Sequence, residues 1–261
     1  MMSIDTLYLS VVQGISEILP ISSSVNLHFL SHICHIGNFS FSIKVALHAG
    51  SLITLLVYYS KEILDMMCAI FGRKKIYDTY LIPLVLGTVP VVFFGYLARG
   101  FVKEFDSAKV MGITSIIFGI LLYICDKFSI SRKTHVKAGS CVVSPIKSLM
   151  IGFCQAIAIF PGVSRLGICI TSARMLGMPR PDAINFSLML AIPSILGSLC
   201  LEIYNCKHIA AFYSTATLSA IGITALVGLM AIVPCVRLMT RHGFGVLSIY
   251  RVIIGLLMCF L

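Results

Sequence analysis

The sequence predicts an all-α integral membrane protein, and three observations carry that prediction. Of its 261 residues, 58% are hydrophobic and 11% charged, about half the charged share of a soluble domain. So little charge cannot cover a water-facing surface, and the solvent for most of the chain is therefore lipid. Apolar runs recur, each of about 20 residues and long enough to cross a hydrocarbon core of about 30 Å. Two further apolar stretches are each interrupted by a polar, proline-containing break. Membrane depth tolerates such a break only where protein buries the irregular backbone or where it lines a watery cavity.

Taken in order, the first broken stretch, residues 7–34, carries Gln13, Glu17, Pro20 and the run Ser22-Ser23-Ser24. Clean apolar runs follow at about 41–60, 80–98 and 109–126. Charge marks where water begins: Lys61-Glu62 after the first, Arg73-Lys74-Lys75 before the second and Arg99 after it. The polar connection from Asp126 to Lys137, with Lys127, Arg132 and Lys133, separates two halves. The second broken stretch, residues 146–176, holds Gln155, Pro161-Gly162 and Ser164-Arg165. Runs at about 183–203, 212–235 and 246–261 complete the chain, with Arg237 and Arg241 between the last two. This reads as one polytopic domain, residues 1–261, of six transmembrane helices plus two re-entrant helix–break–helix segments. Its repeat halves cover about 1–130 and 138–261. An odd number of crossings per half inverts the second half, which is the layout of an inverted-topology repeat. A faint echo at an offset of 142 residues agrees: Gln13 with Gln155, Ile15 with Ile157, Ile21 with Val163 and Ser22 with Ser164.

The net charge of +10 sits in short loops, where basic residues set topology and touch anionic lipid. Nucleic acid is excluded as a partner on that placement. Most of the ten cysteines fall within apolar runs and no Cys-x-x-Cys pair occurs, so they read as small helix-interface fillers. The start of the chain lacks a basic region and a small-residue cleavage signal, and Asp5 interrupts it. It is expected to be retained.

Glu17 is the one acid deep inside an apolar stretch. A charge there costs about 2.5–3.5 kcal/mol, so such residues usually have a functional reason. Otherwise it is a structural carboxylate paired within the bundle. Arg165 is its counterpart, offering a planar fork of donors that matches phosphate oxygens. A Glu17–Arg165 salt bridge without ligand is the bland alternative, and it is compatible with a pair that opens around a phosphate. Ser22, Ser23, Ser24 and Ser164 stand where a helix restarts after Pro20 and Pro161. Serine is a favoured N-cap, and helix starts attract anions. Capping explains any one serine, whereas two such starts with one arginine form a phosphate cradle. The cluster His28, His32 and Cys34-His35 has helical metal-ligand spacing, but no nearby acid completes it. His48 reads as a helix-interface hydrogen-bonder.

These residues resemble the bacterial undecaprenyl-diphosphate phosphatases of the bacitracin-resistance type. The first motif reads Gln13-Gly14-Ile15-Ser16-Glu17-Ile18-Leu19-Pro20-Ile21-Ser22-Ser23, and the second Pro161-Gly162-Val163-Ser164-Arg165. Gln155, Phe186-Ser187, Ala191-Ile192-Pro193 and Tyr250-Arg251 are also similar. The resemblance covers essentially the whole chain. It implies six spans plus two re-entrant hairpins in the bacterial inner membrane, with a site that faces outward. It implies removal of the terminal phosphate of undecaprenyl diphosphate, recycling the carrier lipid of cell-wall synthesis and giving bacitracin resistance, with a divalent metal, Mg²⁺ or Ca²⁺. Glu17, Ser23, Ser164 and Arg165 would then be catalytic, and Gln13 and Glu17 would hold the metal. Gln13, Ser22, Asn26, Gly162 and Cys169 would contact substrate. The partners implied are a polyprenyl diphosphate and membrane lipid, and a homodimer is compatible with the resemblance.

Three positions depart from the family pattern: Asn26 where His is usual, Leu166 for Ser and Cys169 for Thr. His28 and Thr171 lie two residues further on, about 200° round a helix, and should not substitute directly. Without that His, Glu17 is favoured as base or metal ligand, with Ser23 or a water as nucleophile. A lipid or anion transporter on an inverted-repeat scaffold is the alternative class. A relative that has lost activity is a third.

Overall fold

The computed structural model describes residues 4–37, 40–98, 105, 107–129, 143–204 and 213–261. Eleven α-helices form among them, and no strand. They are α1 Ile4–Ser16, α2 Ser23–Ile33, α3 Phe41–Tyr58, α4 Ser60–Ile70, α5 Leu81–Leu97 and α6 Ala108–Lys127 in the first half. The second half holds α7 Pro145–Gln155, α8 Arg165–Met175, α9 Arg180–Tyr204, α10 Thr215–His242 and α11 Gly245–Cys259. Serine starts most of the long ones. Ser40, Ser107, Ser144, Ser164 and Ser214 each accept a hydrogen bond from the backbone N–H three residues on, which satisfies an otherwise orphaned donor.

Helices α3, α6, α9 and α10 are long and apolar enough to cross a membrane, at 18, 20, 25 and 28 residues. The other two expected spans are the apolar helices α5 and α11, of 17 and 15 residues. Two details differ from the sequence expectation. Arg237 and Arg241 lie within α10, which runs on to a C-cap at Gly243 (φ +71°). Basic side chains near a helix C-terminus interact favourably with its dipole and do not end it. The short helix α4 was not expected, because its mixed polar and apolar residues carry no span-length signal. The connection between the halves lies outside the described residues from 130 to 142, as does Arg99. The described cysteines are all free.

Some elements recur at matching positions along the chain. α2 and α8 each have 11 residues, and both their ends are displaced by the same 142 residues. α1 packs on α10 as α7 packs on α5. α6 lies along α11, where a Cβ on Gly112 would stand 2.5 Å from the Gly255 carbonyl oxygen and one on Gly255 2.7 Å from that of Gly112. The glycines let the backbones touch, as small residues do between helices in lipid. The two short helices differ in setting. All of α8 from Leu166 to Arg174 is buried, whereas α2 buries only Val25, Asn26 and Leu27. At the far end of α8, Asp126 Oδ1 accepts from Arg174 Nε and Arg180 Nε, each at 2.9 Å. That ion cluster ties α6, α8 and the start of α9.

Candidate functional site

Both breaks turn on a serine in the same unusual conformation. Ser22 (φ +64°) and Ser164 (φ +67°) occupy the left-handed region, which costs a non-glycine residue free energy and needs support from its surroundings. The support is visible. Asn26 Nδ2 donates to the carbonyls of Ile21 at 3.0 Å and Ser22 at 2.8 Å, and Tyr250 donates its hydroxyl to Asn26 Oδ1. Thr114 Oγ1 donates to the Pro161 carbonyl at 2.6 Å. Gly162 (φ +87°) leaves no room for a Cβ, which would lie 2.5 Å from the Met111 carbonyl oxygen. Arg251, with no exposed surface, donates to the carbonyls of Pro20, Gly162 and Val163 at 3.2, 3.0 and 2.9 Å.

Held in this way, the two breaks face one cavity of about 380 Å³. Glu17, Ser22, Ser23 and Ser24 line it from one break, and Gly162, Ser164, Arg165 and Leu166 from the other. Lys44 and His48 of α3 and Ser198 and Glu202 of α9 complete its wall. The N-termini of α2 and α8 both open on it, each supplying backbone N–H groups and a positive dipole end.

Inside the cavity, Ser23 donates its hydroxyl to Glu17 Oε2 at 2.7 Å, and Gln13 Nε2 donates to the same oxygen at 3.0 Å. Arg165 Nη2 stands 3.8 Å from Glu17 Oε1, a loose ion pair. Arg165 Nη1 is buried without a hydrogen-bond partner. A buried N–H without a partner is costly, and this one is free to donate to an oxygen that is not the protein's own. A hydroxyl against a carboxylate, facing a cation and two helix starts, can deliver a nucleophile to a phosphoryl group.

The predicted residues divide on this geometry. Glu17, Ser22, Ser23, Gly162, Ser164 and Arg165 come together on the cavity. Ser164 also caps α8, accepting from Gly167 N at 3.1 Å, whereas Ser22 caps nothing and shares a 3.0 Å hydrogen bond with Ser24. Gln13 sits fully buried behind Glu17, bonded through Nε2 to Ser51 as well, with Oε1 unpartnered. Asn26 and Cys169, expected to contact substrate, do not line the cavity. Asn26 spends its amide on the break, and Cys169 Sγ donates to Gln155 Oε1 at 3.1 Å. His48 lies with Nδ1 3.0 Å from the Lys44 carbonyl, as a helix-bonded histidine should, yet it also faces the cavity.

Sequence reasoning gave no role to Arg251 or Glu202. Arg251 carried a signal, a lone arginine in an apolar run, but its partners are carbonyls that no pattern reveals. Glu202 lies close to a span end and looked interfacial. The fold turns it inward, with Oε2 buried and unpartnered on the cavity wall.

Hard divalent cations take oxygen ligands. The Glu17 carboxylate and the unpartnered Gln13 Oε1 fit that need. No group of three His, Cys, Asp or Glu residues among those described could hold a metal alone. Water and substrate oxygens would have to supply the remaining ligands, as Mg²⁺ sites on phosphates commonly allow.

Comparison with known proteins agrees with the motifs. The family described as "Bacitracin resistance protein BacA" matches residues 6–257. A protein of Pelagibacter ubique named undecaprenyl-diphosphatase is 33% identical over 258 residues, covering 98% of this chain and 96% of its own. One of the same name from Alcanivorax borkumensis is 35% identical over 264 residues, covering 98% and 97%.

Proposed function

Because the chain belongs to the bacitracin resistance protein BacA family, we propose that it hydrolyses undecaprenyl diphosphate to undecaprenyl phosphate and inorganic phosphate. The observation that carries the reading to named atoms is the 2.7 Å hydrogen bond from Ser23 to Glu17 on a cavity shared with Arg165. The transporter alternative finds no support in the family or in the named relatives.

In this reading Arg165 and the first N–H groups of α2 and α8 neutralise the terminal phosphoryl group, which spreads charge over its oxygens in a loose transition state. Ser23 Oγ attacks the terminal phosphorus while its proton passes to Glu17 Oε2. The bond to the bridging oxygen breaks and the polyprenyl phosphate leaves with that proton, which returns Glu17 to its carboxylate form. Water then gives a proton to Glu17 as it attacks the phosphorus, the bond to Ser23 Oγ breaks, and Ser23 takes the proton back from Glu17 as inorganic phosphate is freed. Water oriented by Glu17 and attacking directly is the shorter route to the same products. A divalent cation on Glu17 and Gln13 Oε1 would supply charge neutralisation to the diphosphate oxygens. Ser22 and Gly162 shape the cradle, and Ser164 fixes the start of α8.

The architecture supports a finer reading: six spans, with α1–α2 and α7–α8 as re-entrant pairs of an inverted repeat, in a bacterial inner membrane. The matched 142-residue displacement of α2 and α8 is what favours it. The prenyl tail would lie between the spans while the diphosphate enters the cavity.

Incubating the purified protein in detergent with undecaprenyl diphosphate tests this directly. Release of inorganic phosphate with Mg²⁺, lost on adding EDTA, is expected. Binding without release would favour a carrier.

A further inference from the structure

We propose that a second chamber beside the site is a binding site for phosphate, which receives the phosphate released from the diphosphate; the product assignment rests on the phosphatase reading. The chamber, of about 730 Å³, shares Ser23, Ser24, Lys44, His48 and Met111 with the first cavity. The two therefore adjoin, with Ser23 lining both.

Its chemistry differs from that of the site. His28, Ser31 and His32 line it along α2, His35 from the turn after α2, and Lys44 and His48 from α3. His28 and His32 are four residues apart and share one helix face. No carboxylate lines the chamber among the described residues, whereas Glu17 and Glu202 line the first cavity. The Ser31 hydroxyl is buried and without a hydrogen-bond partner. A metal does not explain the histidines, since no group of three described His, Cys, Asp or Glu residues is placed to hold one. Imidazole N–H groups, an ammonium and a free hydroxyl are donors, and the ligand they suit is an anion rich in acceptor oxygens. In the first cavity Arg165 and Lys44 stand against the two carboxylates Glu17 and Glu202, whereas the adjoining chamber keeps Lys44 and has no carboxylate among the described residues. Released phosphate dianion meets less like charge there.

The test uses inorganic phosphate as the probe. His28→Gln/His32→Gln should hydrolyse substrate at the wild-type initial rate, while inorganic phosphate should inhibit it about tenfold less strongly, a loss of about 1.4 kcal/mol in binding. Equal inhibition of the two proteins would overturn the proposal. Equilibrium dialysis with radiolabelled phosphate needs no turnover. Arg165→Ala protein should still bind phosphate, and adding the two His→Gln changes should remove that binding. Absence of binding in the first protein, or its survival in the second, would also overturn the proposal. Displacement of the label by dihexanoyl phosphatidylglycerol would overturn the product assignment and give the chamber to a lipid headgroup. No displacement supports free phosphate. A chamber that binds phosphate in a protein that releases none from the diphosphate would refute the phosphatase reading alone.

Discussion

Arg251 meets the Gly162 carbonyl at 3.0 Å, and the same guanidinium reaches the Pro20 carbonyl at 3.2 Å. One side chain of the last helix thus holds both helix breaks, which lie far apart in sequence. The cavity depends on this clamp, because the first N–H groups of α2 and α8 can converge on it only if the two turns stay in register. Replacing Arg251 by Met should strand three buried carbonyls at about 1–3 kcal/mol each. Thermal unfolding in detergent should move to clearly lower temperature, with phosphate release lost. Arg251→Lys, which cannot fork, should fall between the two. Wild-type stability in Arg251→Met would show that the clamp is dispensable.

Tyr250 acts one step further out, through Asn26. Tyr250→Phe leaves Asn26 Oδ1 without its partner and should cost about 1–3 kcal/mol. Asn26 supports the turn and does not line the cavity, so the change should lower kcat while KM stays near its wild-type value. A rise in KM alone would instead put Asn26 against the substrate.

The two serines of the first break should separate. Ser23 donates to Glu17 and Ser22 does not. Ser23→Ala should therefore reduce kcat by about 10²-fold or more, in the range set by lost nucleophile or base chemistry, with Ser22→Ala much milder. Incubation with substrate labelled in the terminal phosphate should leave label on Ser23 in the wild type if the serine attacks. Full activity in Ser23→Ala would leave water as the nucleophile.

Asp126 serves stability at the other end of α8. It accepts from two arginines, and its side chain is 7% exposed. Asp126→Ala leaves Arg174 buried and unpaired, which should cost about 3–5 kcal/mol. Protein that folds at low temperature should still release phosphate at close to the normal rate, because the cluster does not touch the cavity. Loss of activity without loss of stability would contradict that separation.

Much of this was legible in the sequence for a physical reason. Lipid imposes long apolar runs and forbids unpaired backbone, so the spans, the breaks and the isolated Glu17 stand out by composition alone. The offset that pairs Ser22 with Ser164 foretold two serines that share one backbone conformation. What composition does not carry is direction. Asn26 and Cys169 lie a few residues past the motifs yet bond behind the breaks, while Glu202, near a span end, points in. Arg251 binds backbone carbonyls, which have no sequence identity, so its role appears only in three dimensions. α4 and the full length of α10 escaped because charged residues near a membrane surface read alike whether the helix stops or continues.

In the proposed mechanism Glu17 drives phosphoryl transfer from a lipid diphosphate held by Arg165. Glu17→Gln keeps the size and one acceptor oxygen but removes the charge and the base. The measurement is phosphate release from undecaprenyl diphosphate by the folded variant beside the wild type, with Mg²⁺ and with EDTA. The wild type should release phosphate in a metal-dependent way, and release by the variant should fall about 10²-fold or more, the usual contribution of a positioned base. Release at near the wild-type rate by Glu17→Gln would rule out Glu17 as the group that drives the transfer.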